Sequence, residues 1–221
     1  MSGTVADVQQ MLALRLGESA APSDSTTKAQ RLNWINAGYM NMSRRRNWWW
    51  QEATDSSNIN NGSTNGYIEP TNCKKIIELQ INNIYYTEIP YIDNRIYKNT
   101  IGVVNLPYLG QAYKFYRYGG SYFPIPVPGS DSIAHYIKFY IRVTNRTSDS
   151  DTFLFPDEYL EALAAFAEAR YWMSITQQTK ASVPFQEYEE IITEMSREQG
   201  RRTTGSPGFA THEPEDTIRS R

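Results

Sequence analysis

The sequence predicts an α+β protein. Two N-terminal helices and one or two C-terminal helices form an antiparallel bundle, a small antiparallel β-sheet module is inserted between them, and a flexible C-terminal tail follows. Three observations carry this. Apolar residues recur at helical spacing before Trp50 and again after Phe155. Between Tyr67 and Val143 the period shifts toward two, and from Gly200 onward sizeable apolar groups almost disappear. The expected organisation is therefore a helical pair over 1–53, a β module over 54–150, C-terminal helices over 151–199 and an extended arm over 200–221.

Composition sets the bounds. A chain of 221 residues can bury one good-sized core plus a smaller module without disulfide staples, and its single cysteine, Cys73, reads as an inert strand residue made in a reducing compartment. The 22 basic and 24 acidic residues give a net charge of -2, too little positive excess for duplex DNA binding as a main activity. No basic-then-apolar leader and no run of about 18 apolar residues is visible, so neither export nor membrane spanning is expected. Sixteen tyrosines and five tryptophans supply apolar bodies with polar tips, which suit wet interfaces.

The first helix spans 4 to 16, with Thr4 as cap, Asp7 three residues on, apolar positions Val5, Val8, Leu12 and Leu16, and Gly17 as its stop. After the polar link Glu18 to Ser25, a second helix carries Leu32, Ile35, Tyr39 and Met42 on one face. Thr26 or Thr27 is its expected cap, Asp24 or Ser25 can help start it, and Arg44, Arg45 and Arg46 lie at the negative end of its dipole. Three consecutive arginines fan over about 200°, so they cannot all face one way. Trp48, Trp49 and Trp50 pose the same problem, and two readings stand. Either the aromatic cluster seals the helix end with the arginines solvated, or part of it meets another chain, since Trp and Arg are enriched at interface hot spots.

Thr54 to Gly66 is a loop rich in Asn, Ser, Thr and Gly, with Asn61-Gly62 and Asn65-Gly66 as turn signals. A sheet of four to six antiparallel strands is expected beyond it, including a hairpin at Gly119-Gly120. In the last strand Ile137, Phe139, Ile141 and Val143 face inward and Tyr136, Lys138, Tyr140 and Arg142 face outward. Pro124, Pro126 and Pro128 predict an edge strand or an extended arm, because proline donates nothing to a ladder. The chain returns to helix over Phe155 to Thr176, with Asp157 and Glu158 at the positive end of the dipole. A further helix is expected from Ser182, because Pro184 would break a continuous one, and Gly200 is expected to stop it.

Catalytic material is sparse. His135 reads as a buried sheet histidine, His212 sits in the tail, and no phosphate-binding, dinucleotide, zinc-protease, serine-hydrolase or calcium motif is present. Asp157, Glu158, Glu161 and Glu168 are explained as helix N-terminal and solvated charges. No enzyme activity, metal or cofactor is expected. The sheet's tyrosines, among them Tyr85, Tyr118, Tyr136 and Tyr140, suit packing and interface roles or stacking on sugars.

The helix RLNWINAGYMNMSRRRNWWW, the inserted β module with its Gly-Gly hairpin, and the phrase FPDEYLEALAAFAEARYW together resemble the head-to-tail connector adaptors, or head completion proteins, of tailed bacteriophages. The likeness spans Thr4 to Gly200 and extends to the podovirus gatekeeper subgroup, the tail tubular A proteins. It implies a structural virion protein, assembled in the host cytoplasm, that forms rings of twelve copies beneath the portal protein. Such a ring extends the DNA channel without sequence-specific binding and gives a downstream tail protein its docking platform. It further implies that the arm bearing Arg201, Arg202, Phe209, Ile218, Arg219 and Arg221 meets the portal. Arg44, Arg45, Arg46, Trp48, Trp49 and Trp50 would then lie near subunit contacts. Two other functions fit the residues: a tail or receptor-binding module whose tyrosine-rich sheet contacts glycans, and a weakly DNA-binding regulator acting through Arg44 to Arg46.

Overall fold

The computed structural model describes residues 3–59, 66–90, 113–125 and 133–204, which contain four α-helices and seven β-strands. The chain forms two compact units, residues 1–39 with 146–221 and residues 40–145. The class is α+β.

In the first unit α1 (Val5–Arg15) starts at a reciprocal capping box. The Asp7 amide donates to Thr4 Oγ1 at 3.3 Å and the Thr4 amide to Asp7 Oδ2 at 2.8 Å. These Thr4 donors hold the Asp7 carboxyl below its ordinary range. The second helix, α2 (Ser25–Arg45), begins earlier than the threonines suggest, because Asp24 Oδ1 accepts the Thr27 amide at 2.8 Å and so acts as the cap.

Helix α3 (Leu160–Ser174) buries Leu160, Leu163 and Phe166 together with Ala162, Ala164, Ala165, Ala167 and Ala169. A helix buried on so many sides is the centre of its unit. Both α1 and α4 (Gln178–Thr204) pack against it, and Trp34 of α2 meets Tyr171 edge-on at 6.2 Å. Gly38 explains how α2 comes so close. A Cβ there would lie 3.0 Å from the Phe166 ring, and the Gly38 carbonyl accepts the Tyr188 hydroxyl at 3.4 Å.

Two expectations for α4 are corrected. The helix starts at Gln178 and takes Pro184 within it. Proline deletes one amide donor, but the first turn is already anchored by the Lys180 and Ala181 amides on the Gln177 carbonyl, and buried Ala181, Tyr188, Ile192 and Met195 supply the packing that outweighs the loss. Nor does Gly200 stop the helix, which runs on to Thr204. An interior glycine costs about 1 kcal/mol and breaks no hydrogen bond. Residues 200–204 are thus helical rather than extended, and the rest of the expected arm lies outside the described residues.

The second unit holds the end of α2, a 3₁₀ turn (Trp49–Gln51) and the strands β1 (Glu52–Ile59), β2 (Tyr67–Ile68), β3 (Cys73–Ile81), β4 (Ile84–Glu88), β5 (Lys114–Tyr118), β6 (Ser121–Ile125) and β7 (Ile133–Ile141). They form one sheet in the order β1-β7-β3-β4-β5-β6-β2. Its buried side gathers Tyr67, Ile76, Leu79, Tyr86, Phe115, Tyr122, Ile137 and Phe139. Buried Cys73 has its thiol pushed up to about 11 by that burial, which keeps it protonated and inert. Positive φ angles at Asn82 and Asn83 close the β3–β4 hairpin, and those at Gly119 and Gly120 close β5–β6 at the expected place.

Residues 54–59, expected as the start of a loop, are strand and pair with β7 along their length. Beyond that the sheet departs from the sequence reading in three ways. It has seven strands, and it is mixed rather than antiparallel throughout, since β4 and β5 run parallel, Thr87 beside Lys114. Parallel neighbours need a long connection, and the stretch from residue 89 to 113 supplies one. Thirdly, β6 carries Pro124 yet lies between two strands. Only Ser121 and Tyr122 pair with the two-residue β2, so among the described residues Pro124 has no ladder partner on that side. Pro126 and Pro128, like Asn61, Gly62 and Asn65, lie outside the described residues.

Candidate functional site

The last carbonyls of any helix lack intrahelical donors. At the end of α2 two side chains, Lys74 and Trp48, supply donors. Lys74, at the start of β3, donates its ammonium to the Ser43 carbonyl at 2.8 Å and to the Arg46 carbonyl at 2.7 Å. The indole of Trp48 folds back and donates Nε1 to the Met42 carbonyl at 2.7 Å. Ser43 itself donates Oγ to Met40 at 2.9 Å. A cation at this pole also answers the negative end of the helix dipole. Burial first, and neighbouring Arg142 second, hold the Lys74 ammonium below the ordinary lysine value.

The three tryptophans are not equivalent. Trp48 is 0% exposed, stacks on Trp50 at 6.3 Å with planes 11° apart, and meets Trp49 edge-on. Trp50 is buried as well, whereas Trp49 is half-buried. Fully buried Gln51 locks the turn, its Oε1 accepting the Trp48 amide at 3.1 Å and its Nε2 donating to the Ile141 carbonyl at 3.2 Å. The chain can then pass straight into β1, where Glu52 pairs with Lys138 at 2.7 Å.

Arg44, Arg45 and Arg46 all stand exposed around this junction, and Arg45 Nε donates to Asn41 at 2.9 Å. The structure thus divides the residues singled out by sequence. Trp48 and Trp50 spend their surface inside the second unit, and the arginines with part of Trp49 are presented to solvent. Sequence reasoning missed Gln51, which directly follows Trp50, and Lys74 and Arg142, which contribute from distant positions; none of the three carries a motif.

Of the arm residues, Arg201 and Arg202 lie on the last turns of α4, with Arg202 Nε on Glu198 at 2.9 Å. Phe209, Ile218, Arg219 and Arg221 lie outside the described residues. Elsewhere in the first unit Arg15 bridges three elements, with Nε on Glu168 at 2.7 Å, Nη1 on Glu187 at 2.8 Å and Nη1 on Glu161 at 3.3 Å. Its hydrogen bond holds the Glu187 carboxyl below the usual glutamate range.

The polar chemistry of these residues closes helix ends, ties elements together and presents cations to solvent. Residues 3–210 match the family described as SU10 adaptor protein, and the chain belongs to that family, the structural adaptors of bacteriophage virions. Members are structural components that work with other phage head–tail proteins, and the family is not a known enzyme family. Comparison with curated proteins returned no match. Among the described residues no helix is long and apolar enough to cross a membrane.

Proposed function

We propose that the protein is a head-to-tail adaptor that forms a homo-oligomeric ring of twelve copies below the portal protein, extends the DNA channel and offers a docking platform to a downstream tail protein. The observation that carries this reading is the match to the adaptor family over residues 3–210. The bundle arrangement of the helices and the kinship with podovirus gatekeepers belong to the same reading. In it the segment 200–221, with Arg201, Arg202, Phe209, Ile218, Arg219 and Arg221, engages the portal. Arg44 to Arg46 and Trp48 to Trp50 lie at or beneath the contact between neighbouring copies, with the exposed arginines as the direct participants.

Light scattering and negative-stain imaging of purified protein mixed with portal test it, using the full chain and a chain ending at Thr204. The full chain should give a ring or a portal complex, and the shortened one should fold with an unchanged melting temperature yet bind the portal more weakly. Absence of any ring or complex with the full chain would end the proposal.

A further inference from the structure

In the second unit the end of α2 gathers five cations: Arg44, Arg45, Arg46, Lys74 and Arg142. Among the described residues no carboxylate lies within ion-pair distance of Arg44, Arg46, Lys74 or Arg142. Lys74 spends its hydrogen bonds on backbone carbonyls, so it fixes the patch without neutralising it. In the first unit the opposite imbalance appears. A groove of about 1050 Å³ between the start of α3 and the length of α4 is lined by seven glutamates and two arginines. Glu187, Glu190, Glu194 and Glu198 follow one another at spacings of three, four and four, so they form one stripe of α4 beside its buried Tyr188, Ile192 and Met195. Arg15 answers Glu187 and Arg202 answers Glu198, but Glu158, Glu190 and Glu194 have no cation partner among the described residues.

We infer that the basic end of α2 docks into the glutamate-lined groove of a second copy of this chain. The inference deepens the ring reading and rests on it. A ring repeats one head-to-tail contact, so each copy must carry two different and complementary surfaces. A net charge of -2 conceals such a pair, because the imbalances cancel in the sum. Shape favours a protein groove over a nucleic acid backbone as the occupant. Arg44 and Arg45, adjacent on α2 and so about 100° apart, with Arg46 beyond the helix end, do not form a single row to match one line of phosphates, but a concave wall with carboxylates on both sides can receive them. Complementary charge would also steer encounter and fix register, with a dependence on salt.

Two charge-reversed chains test this, R44E/R46E and E190R/E194R, sized by multi-angle light scattering at about physiological ionic strength. All the altered side chains are exposed, so melting temperatures should match the wild type; R44Q/R46Q serves as the milder form if the reversal perturbs folding. Each reversed chain alone should lose the assembled species. Mixed in equal amounts they should regain it, because an acidic patch then meets a basic groove and a basic patch an acidic groove around the ring. The inference falls if either reversed chain assembles as the wild type does, or if folded chains do not recover on mixing. It falls equally if R44E/R46E assembles normally but loses retention of a short DNA duplex. A wild-type chain that never assembles, alone or with portal, removes the ring reading itself, an outcome distinct from a ring indifferent to these charges.

Discussion

Replacing Trp48 by alanine should destabilise the second unit far more than replacing its neighbour Trp49. Trp48 is fully buried, and a tryptophan hides on the order of 200 Å², which at ~25 cal/mol/Å² gives about 5 kcal/mol as an upper bound. Its indole N–H also satisfies the Met42 carbonyl at 2.7 Å, a bond whose net value is about 1 kcal/mol. Allowing for collapse around the cavity, W48A should cost about 3–5 kcal/mol. W48F, which keeps an aromatic ring but strands the carbonyl, should cost about 2 kcal/mol. Half-buried Trp49 leaves part of its area wet, so W49A should cost under about 2 kcal/mol. Urea unfolding followed by far-ultraviolet circular dichroism measures all three, because the unfolding transition is read from the change in backbone signal, with each variant fitted to its own folded and unfolded baselines. A W48A unfolding free energy within about 1 kcal/mol of wild type, or W49A costing as much as W48A, would show that the closure of α2 does not rest on this indole.

Replacing Gly38 by alanine should lower the melting temperature even though alanine favours helix, because the new methyl would sit 3.0 Å from the Phe166 ring and overpacking of about 1–3 kcal/mol exceeds a propensity gain of about 1 kcal/mol; a stabilised G38A would refute the close approach of α2 to α3. The Arg15 network gives a pH dependence. The native Glu187 carboxyl titrates below its ordinary value of 4.5, so its contribution is complete above that pH and is lost as pH falls through the depressed native value. E187Q should therefore lose about 1 kcal/mol or less at neutral pH, after solvent screening, and show a flatter stability profile below pH 4.5, as read by thermal melts in a pH series.

Local signals were the legible ones. Thr4 and Asp7 announce α1 because both halves of the capping box lie within four residues, and Gly119-Gly120 announces its hairpin because the positive φ is a property of the turn alone. Alternation in β7 gave its buried face for the same reason, with Ile137 and Phe139 inside and Lys138 on the paired rim. What escaped depends on partners far along the chain. Pro184 and Gly200 read as breaks from propensity alone, yet the packing of Tyr188, Ile192 and Met195 carries α4 past both. The parallel pairing of β4 with β5 leaves no periodicity of its own. At the candidate site the overload of arginine and tryptophan was visible, but not its division. Trp48 and Trp49 are identical in type and adjacent in sequence, and only the turn locked by Gln51, with Lys74 reaching from 28 and 31 residues away, decides which ring is enclosed.

The two places where the chain passes between units are themselves tied together. Asn36 and Arg146 exchange hydrogen bonds in both directions, at 2.9 and 2.8 Å, and the Arg146 guanidinium reaches the Tyr39 hydroxyl at 3.3 Å. Departure after Tyr39 and return at Arg146 thus occur side by side on the helical unit. The intervening 40–145 is in that sense a cassette. Because the two breaks in the helical unit are held together, a short linker in place of 40–145 should give a smaller folded protein.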